Sequence, residues 1–357
     1  MDDLLERTVS FAYDYKVTCQ SCPGTTPLTS SDYYDQVNEA HVNCAHCGTD
    51  IHFGPAVFTL RDHDDPALDD QLACRTAWYH TSTVADWPNG TRVLPTATDT
   101  PLMRIMPADE LRRVRDRYET QALHLGTYEA AIESMLRRMR NQADGGSQFH
   151  LYRVRLRDGL DIERGWRDEN HADAAHITQP ELGDLDVIRY LNVHEAPGSI
   201  SLAVRRRAIA ATQRVALPVG APETNVRDVV TEVGLIRAQV RQLEDHRPAT
   251  LDSLDQLRAQ VACGRGTTFV RSPSPEQYAL LQGIDALLGD TYLPGVARPV
   301  RCAFTRSLQA WLSAQHDVDD AAYVQRFAAL AALLTAPNTT LRALAAQPIQ
   351  ELEPWQP

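Results

Sequence analysis

Lysine is almost missing from this chain: Lys16 is the single one in 357 residues, and arginine carries nearly all the positive charge. That skew reflects overall composition rather than mechanism. Also missing is any apolar run near the roughly 20 residues that a membrane-spanning helix needs, so no membrane partner is expected. The opening residues, MDDLLERTVSFAYDYK, are acidic and lack the basic region of a signal peptide, which makes the cytoplasm the expected compartment. Positive charge is short overall. The net charge is -12, and residues 1–70 hold 13 acidic against 3 basic side chains. The remainder is close to neutral, so a global electrostatic grip on duplex DNA is not expected, while a local basic groove stays open. There is neither a phosphate-binding glycine loop nor a strand-crossover-helix rhythm, which disfavours a doubly wound nucleotide fold.

What is present begins with cysteine. Of the 7 cysteines, four form two pairs, TCQSC (Cys19, Cys22) and NCAHCG (Cys44, Cys47), with 21 residues between the pairs. Paired Cys-x-x-Cys at this distance suits one tetrahedral thiolate site, each knuckle presenting two sulfurs. The apolar residues around them (Tyr33, Tyr34, Val37, Val42, Ile51, Phe53) are too few for an independent core, so a metal would supply the missing stability. The segment 1–70 therefore reads as a zinc ribbon. Four cysteines close the shell against His41, His46 and His52, so the site is expected to be structural rather than catalytic. Redox-active or disulfide-bonded pairs are the competing reading. Cys74 and Cys302 are expected to be buried thiols, and Cys263 an exposed one.

Residues 61–73, RDHDDPALDDQLA, read as an acidic linker. Beyond them, residues 74–220 carry short strands and helices in mixed order. CRTAWYHTS is predicted as a strand ending in His80, NGTRVLPTA as a turn and a strand, and LHL as another strand. Helices are predicted through ELRRVRDRYETQ and after Thr127, which can cap the second of them. Glu129, Glu133, Arg137 and Arg140 are placed on the polar side of that second helix. FHLYRVRL, DVIRYLNV and SISLAV read as strands. From 225 to 357 the periodicity becomes helical, in TEVGLIRAQVRQLEDH, PEQYALLQGIDALLG, VRCAFTRSLQAWLSA and DAAYVQRFAALAALLT, and predicts a separate helical domain.

Three segments of the middle domain share a character: a short strand that ends in a chemically useful residue. They are AWYHTS, HLGTYEAA and NVHEAPGSIS. Their motifs, order and spacing resemble the ADP-ribosyltransferase superfamily, in which a first-strand histidine contacts the NAD ribose and an acidic residue lies in a third motif. The resemblance covers about 140 residues. The zinc ribbon and the helical tail lie outside it, and NVHEAPGS differs from the paired-glutamate motif of arginine-specific members. It implies an α+β, split-sheet ADP-ribosyltransferase-like domain that uses NAD and modifies a macromolecular acceptor, protein or nucleic acid. Enzymes of this superfamily serve as bacterial toxins and defence effectors, a setting in which a protein inhibitor can accompany them.

The residue types suit that chemistry. Breaking the nicotinamide-ribose bond leaves an oxocarbenium-like sugar, which a nearby carboxylate stabilises. Glu195 is the candidate for that role, with His80 and His124 as its catalytic companions. His80, Thr81 and His124 would hold the ribose, Tyr79 or Tyr128 would stack on the nicotinamide ring, and Asn192 and Ser201 would bind polar parts of the ligand. Arg153 and Arg155 share a strand face and could meet phosphates, although an exposed charged face is an equal reading. Arg205, Arg206 and Arg207 read as surface. An NAD glycohydrolase shares the fold expectation. So does an RNA 2'-phosphotransferase, which would need arginines such as Arg75, Arg104, Arg153 and Arg155 to converge. A non-catalytic zinc-ribbon module that binds protein is the alternative of a different class.

Overall fold

The computed structural model describes residues 1, 3–35, 40–89, 107–141, 146–169, 177–219, 226–246, 252–264, 272–314 and 318–353. Residues 90–97 of NGTRVLPTA, with Val37 and Arg104, lie outside the described part, as does the side chain of Cys263.

Two small hairpins come first. β1 (Tyr15–Thr18) pairs with β2 (Thr25–Leu28), and β3 (His41–Asn43) pairs with β4 (Asp50–His52), both antiparallel, with helix α1 (Ser30–Asp35) between them. Four rings form the apolar centre of this segment. Tyr15, Tyr33, Phe53 and Phe58 lie 4.7 to 5.8 Å apart by centroid. The acidic linker is more ordered than its composition suggests. Asp65 accepts from Ala67 N, and Asp69 accepts from Gln71 N and Leu72 N at the start of α2 (Asp70–Arg75). Cys74 and Arg75 therefore end a helix rather than begin a strand, and the strand itself, β5 (Trp78–Ser82), starts three residues later.

After β5 come helix α3 (Ala108–Thr120), strand β6 (Leu123–Leu125), helix α4 (Tyr128–Asn141) and the long strand β7 (Phe149–Leu156). β8 (Arg167–Asp168), β9 (Val187–Leu191), β10 (Ile200–Val204) and β11 (Ile209–Leu217) follow. The tail holds helices α5 (Arg227–Asp245), α6 (Ser253–Gly264), α7 (Pro275–Tyr292), α8 (Arg298–Ala314), α9 (Asp320–Thr335) and α10 (Pro337–Ala345), then strand β12 (Gln350–Glu351). The strands of the middle region make two four-stranded sheets. One has the order β12-β11-β7-β5 and is antiparallel throughout. The other has the order β6-β10-β9-β8, with only β8 and β9 parallel. The expected mixed α+β class holds. β9 and β10 are buried at every position, which is why they read as continuous apolar runs rather than alternating ones.

The chain forms two compact units whose bounds differ from the three segments read from sequence. One comprises Met1–Gly220, Gly295–Gln315 and Ala332–Pro357; the other comprises Ala221–Pro294 and His316–Ala331. The tail is therefore divided. In the first unit α8 lies along α4, with Ser307 Oγ donating to the Leu136 carbonyl at 2.7 Å, and β12 extends β11. In the second unit α5 packs on α7. Its α7 begins with a reciprocal cap between Ser274 and Gln277, and Gln277 Nε2 also donates to Val240 O and Glu244 Oε2. Among the described residues no helix is long and apolar enough to cross a membrane.

Phe304 and Leu308 on α8 are wholly buried. Replacing Leu308 by alanine is expected to cost the first unit about 2–5 kcal/mol, the range for a buried leucine whose cavity does not collapse. Denaturant unfolding would measure it. An unchanged midpoint would mean that α8 does not belong to the α+β core.

Candidate functional site: a thiolate metal centre and a polar cluster between three strands

The four knuckle cysteines meet. Cys19 Sγ lies 3.7 Å from Cys47 Sγ, Cys22 Sγ lies 3.6 Å from Cys44 Sγ, and all four sulfurs fall within 4.8 Å of one another. Four sulfurs at about 2.3 Å from a central zinc would stand about 3.8 Å apart, so the spacing fits a tetrahedral ion. At Cys44 the local backbone favours the thiolate. The N–H groups of Cys47 and His46 turn toward Cys44, with His46 N 3.4 Å from its sulfur, and hold that thiol down to about 6. The neighbouring histidines are engaged elsewhere. His46 Nε2 meets the Thr25 carbonyl at 3.0 Å, and His41 Nδ1 meets Asp50 at 2.6 Å. The four cysteines can hold a metal ion, consistent with zinc.

The second cluster lies where the two sheets touch. Tyr79 N donates to Gly126 O at 2.9 Å and Gly126 N returns a bond to Tyr79 O at 3.0 Å. Gly126 is required there by space. A Cβ at this position would lie 2.9 Å from Ala130 Cβ and 3.2 Å from Ser201 Oγ. The bridge sets His80 beside His124, and His80 Nδ1 donates to the His124 carbonyl at 2.8 Å. That bond puts the neutral imidazole's proton on Nδ1 and makes Nε2 the acceptor. Trp87 stacks on the His80 ring at 4.4 Å and 17°.

From His124 a chain of polar groups continues across the second sheet. His124 Nδ1 and Tyr190 Oη are 3.1 Å apart, Tyr190 sits opposite Ser201 in register, and Asn192 Nδ2 donates to Ser201 Oγ at 3.1 Å. Asn192 Oδ1 accepts from Glu195 N at 2.8 Å. The Glu195 carboxylate, on a buried residue, is paired with the half-exposed guanidinium of Arg137. His80, His124, Asn192, Ser201 and Glu195 are thus linked through one network that crosses the three motif segments.

Other expected ligand residues are placed differently. Tyr79 and Tyr128 are core residues. Their rings meet edge to face at 5.6 Å, Tyr79 Oη donates to Glu6 at 2.5 Å, and Tyr128 Oη donates to the Leu333 carbonyl at 3.0 Å. Neither ring presents a face to a ligand. Thr81 is buried with its hydroxyl on Ala131 O. Arg153 pairs with Glu6 and Arg155 with Glu351, so neither guanidinium stands open for a phosphate. Arg207 pairs with Asp186, and Arg205 holds the carbonyls of Leu185 and Gly183.

Two carboxyls join the cluster that the sequence placed elsewhere or did not mark. Glu133, assigned to the polar side of its helix, turns inward. Its residue remains partly accessible, but its carboxyl is enclosed, with Tyr13 Oη at 2.5 Å and Ala196 N at 2.9 Å. Glu169 is buried and accepts from Val193 N at 2.7 Å. Burial pushes both up to about 7, against the lowering pull of their hydrogen bonds. Glu129 is likewise buried and accepts from Ser10 N. Neither Trp87 nor Glu169 was singled out in the sequence, and nothing local marks Glu169.

Compared with known proteins, the chain matches no family model, no curated protein and no solved structure at a significant level.

Two predictions follow from this chemistry. Purified protein should carry one zinc per chain, and Cys44→Ser should lose it; elemental analysis with thiol titration decides, and four free thiols without metal would refute the centre. The second concerns pH. A carboxyl raised above its ordinary value holds its proton longer when folded, so its stabilising share is complete at low pH and is lost as pH rises toward the folded value. Glu169→Gln mimics the protonated form at every pH. Relative to wild type its stability should therefore rise between about pH 5 and about pH 8, as thermal unfolding would record. The opposite slope would show that Glu169 is charged in the fold throughout.

Proposed function

We propose that the α+β unit is an NAD-consuming enzyme that transfers ADP-ribose to a macromolecular acceptor, protein or nucleic acid. The observation that carries this reading is the network joining His80, His124 and the Glu195 turn, three motifs far apart in sequence. In this reading His80 meets the ribose through its Nε2 side, because Nδ1 is committed to the His124 carbonyl. Glu195 supplies negative charge as the glycosidic bond opens, an interaction that strengthens only as the sugar becomes cationic. Arg137 pairs with that carboxylate and keeps it aimed until substrate arrives. Release of nicotinamide leaves the sugar open to the acceptor's nucleophile. If water takes that place, the same site is a glycohydrolase.

The RNA 2'-phosphotransferase alternative has less support, because Arg153 and Arg155 are engaged with Glu6 and Glu351. A protein-binding role for the acidic ribbon is compatible with either chemistry and would supply a way to choose an acceptor.

Nicotinamide release from NAD tests the reading. Wild type should consume NAD, Glu195→Gln should lose at least about tenfold in turnover, equivalent to about 1.4 kcal/mol, and His80→Ala should weaken binding and turnover together. Label retained on protein or nucleic acid identifies a transferase; label released entirely as free ADP-ribose identifies a hydrolase. A folded protein that neither binds nor consumes NAD, with or without cell extract, would leave only the binding-module reading.

A further inference from the structure

We infer that Glu133 and Glu169 are positioning residues that fix the turn 192–199 and, through it, the Glu195 carboxylate. The inference rests on the reading of Glu195 as the carboxylate of the reaction, but the geometry of the turn stands by itself.

Four successive backbone N–H groups in this turn are accepted by side-chain oxygens. Val193 N meets Glu169 Oε2 at 2.7 Å, His194 N and Glu195 N meet Asn192 Oδ1 at 3.1 and 2.8 Å, and Ala196 N meets Glu133 Oε2 at 2.9 Å. The four go to three separate acceptors: the Asn192 amide takes the middle two, and the carboxyls of Glu169, the residue after β8, and of Glu133, on α4, take the outer two. Backbone bonds also close the turn, Asn192 N to Ser199 O at 2.9 Å, Gly198 N to Asn192 O at 2.8 Å and Ser199 N to Ala196 O at 3.1 Å, and the side-chain acceptors fix the N–H groups that these leave over. Ala196 adopts φ 46°, a left-handed conformation that a residue with a side chain rarely takes unaided, and Gly198 has φ 86°. On the outer side Gly198 is pressed against residues 59–61, where a Cβ would lie 2.7 Å from Thr59 O, and Arg61 N donates to Gly198 O at 2.9 Å. The Glu195 carboxylate is therefore placed by a backbone held from two sides.

The charged groups around the two carboxyls are few. Tyr13, Tyr15, Arg61 and Glu195 face Glu133, while Tyr190, Arg137 and Glu195 face Glu169. Three carboxyls thus share two guanidiniums. Burial raises the proton affinity of Glu133 and Glu169 and the Glu195 carboxylate adds to it, so substitution at either position should alter the pH profile of turnover as well as its size.

Hydrogen exchange resolved by peptide, run beside NAD turnover, tests the inference. In Glu133→Ala and Glu169→Ala the segment 192–199 should exchange at least about tenfold faster, while β7 and β11 keep their protection. Turnover should fall in kcat with KM for NAD changed by less than about threefold, the pattern of a misplaced group that acts at the transition state. Glu133→Gln and Glu169→Gln retain an acceptor oxygen and should restore most of the protection, with a flattened pH profile. Glu133→Asp keeps the charge but withdraws it by one methylene, so it should loosen the turn even if the alanine variants do not fold. Glu351→Gln, remote from the turn, serves as the unaffected control. Wild-type exchange in the alanine variants, or in the aspartate variant where those do not fold, overturns the positioning role. If wild type consumes no NAD, the proposed function fails and the exchange data still decide whether these carboxyls set the turn.

Discussion

The pair of backbone hydrogen bonds between Tyr79 and Gly126 is the constraint from which the candidate site follows. It is the seam between two sheets that otherwise have separate strand orders. Because it ties the strand of His80 to the end of the strand of His124, the two imidazole-bearing residues must be neighbours. Their separation is a matter of backbone geometry and does not depend on side-chain preference. The seam also explains Gly126 without appeal to an unusual backbone angle: it is small because Ala130 and Ser201 crowd it. Everything downstream, from the imidazole-carbonyl bond to the Tyr190-Ser201-Asn192 relay, uses the separation that this contact sets.

Around the seam, polar groups are spent on fixing backbone. Glu6, Glu129, Glu133 and Glu169 each hold a group from a distant part of the chain, and Arg189, nearly inaccessible, reaches the Ala67 and Glu163 carbonyls and Asp70. Buried polar groups that are fully partnered specify one arrangement where an apolar core would tolerate several. The N-terminal segment takes part in this. Leu5 N donates to Arg75 O at the end of α2 and Leu5 O accepts from Ala77 N, and Arg7 lies over the Trp78 ring while pairing with Asp65. The acidic composition of residues 1–70 is therefore in part a set of structural partners for arginines elsewhere in the first unit.

Legibility from sequence followed the range of the interaction. The cysteine knuckles were legible because each pair is formed by residues three apart, and the two turns need only meet once. Strands and helices were legible where one face differs from the other. The inward turn of Glu133 was not, because α4 packs on α8 as well as on β5 and has little face left for water, so a polar residue on it does not imply exposure. Tyr79 and Tyr128 misled for a related reason. A tyrosine beside a candidate histidine suits ligand stacking equally well on paper, and only the positions of Glu6 and the Leu333 carbonyl show that both hydroxyls are already satisfied. The return of α8 and β12 to the first unit was hidden because periodicity reports that a helix has an apolar face but not which surface covers it. Where Glu169 would land was equally invisible, since its partner lies 24 residues away in a turn with no regular pattern.

The two residues of β12 have a consequence larger than their length. β11 runs for nine residues beside β7, and its other edge would present unpaired N–H and C=O groups to solvent. Gln350 and Glu351 cover part of that edge, Leu352 N bonds Ala210 O just beyond, and Glu351 brings a negative charge to the rim. Open, hydrophobic strand edges are templates on which other chains assemble. β12 thus acts as a selvedge: two residues cover part of an edge that would otherwise be open to pairing with another strand.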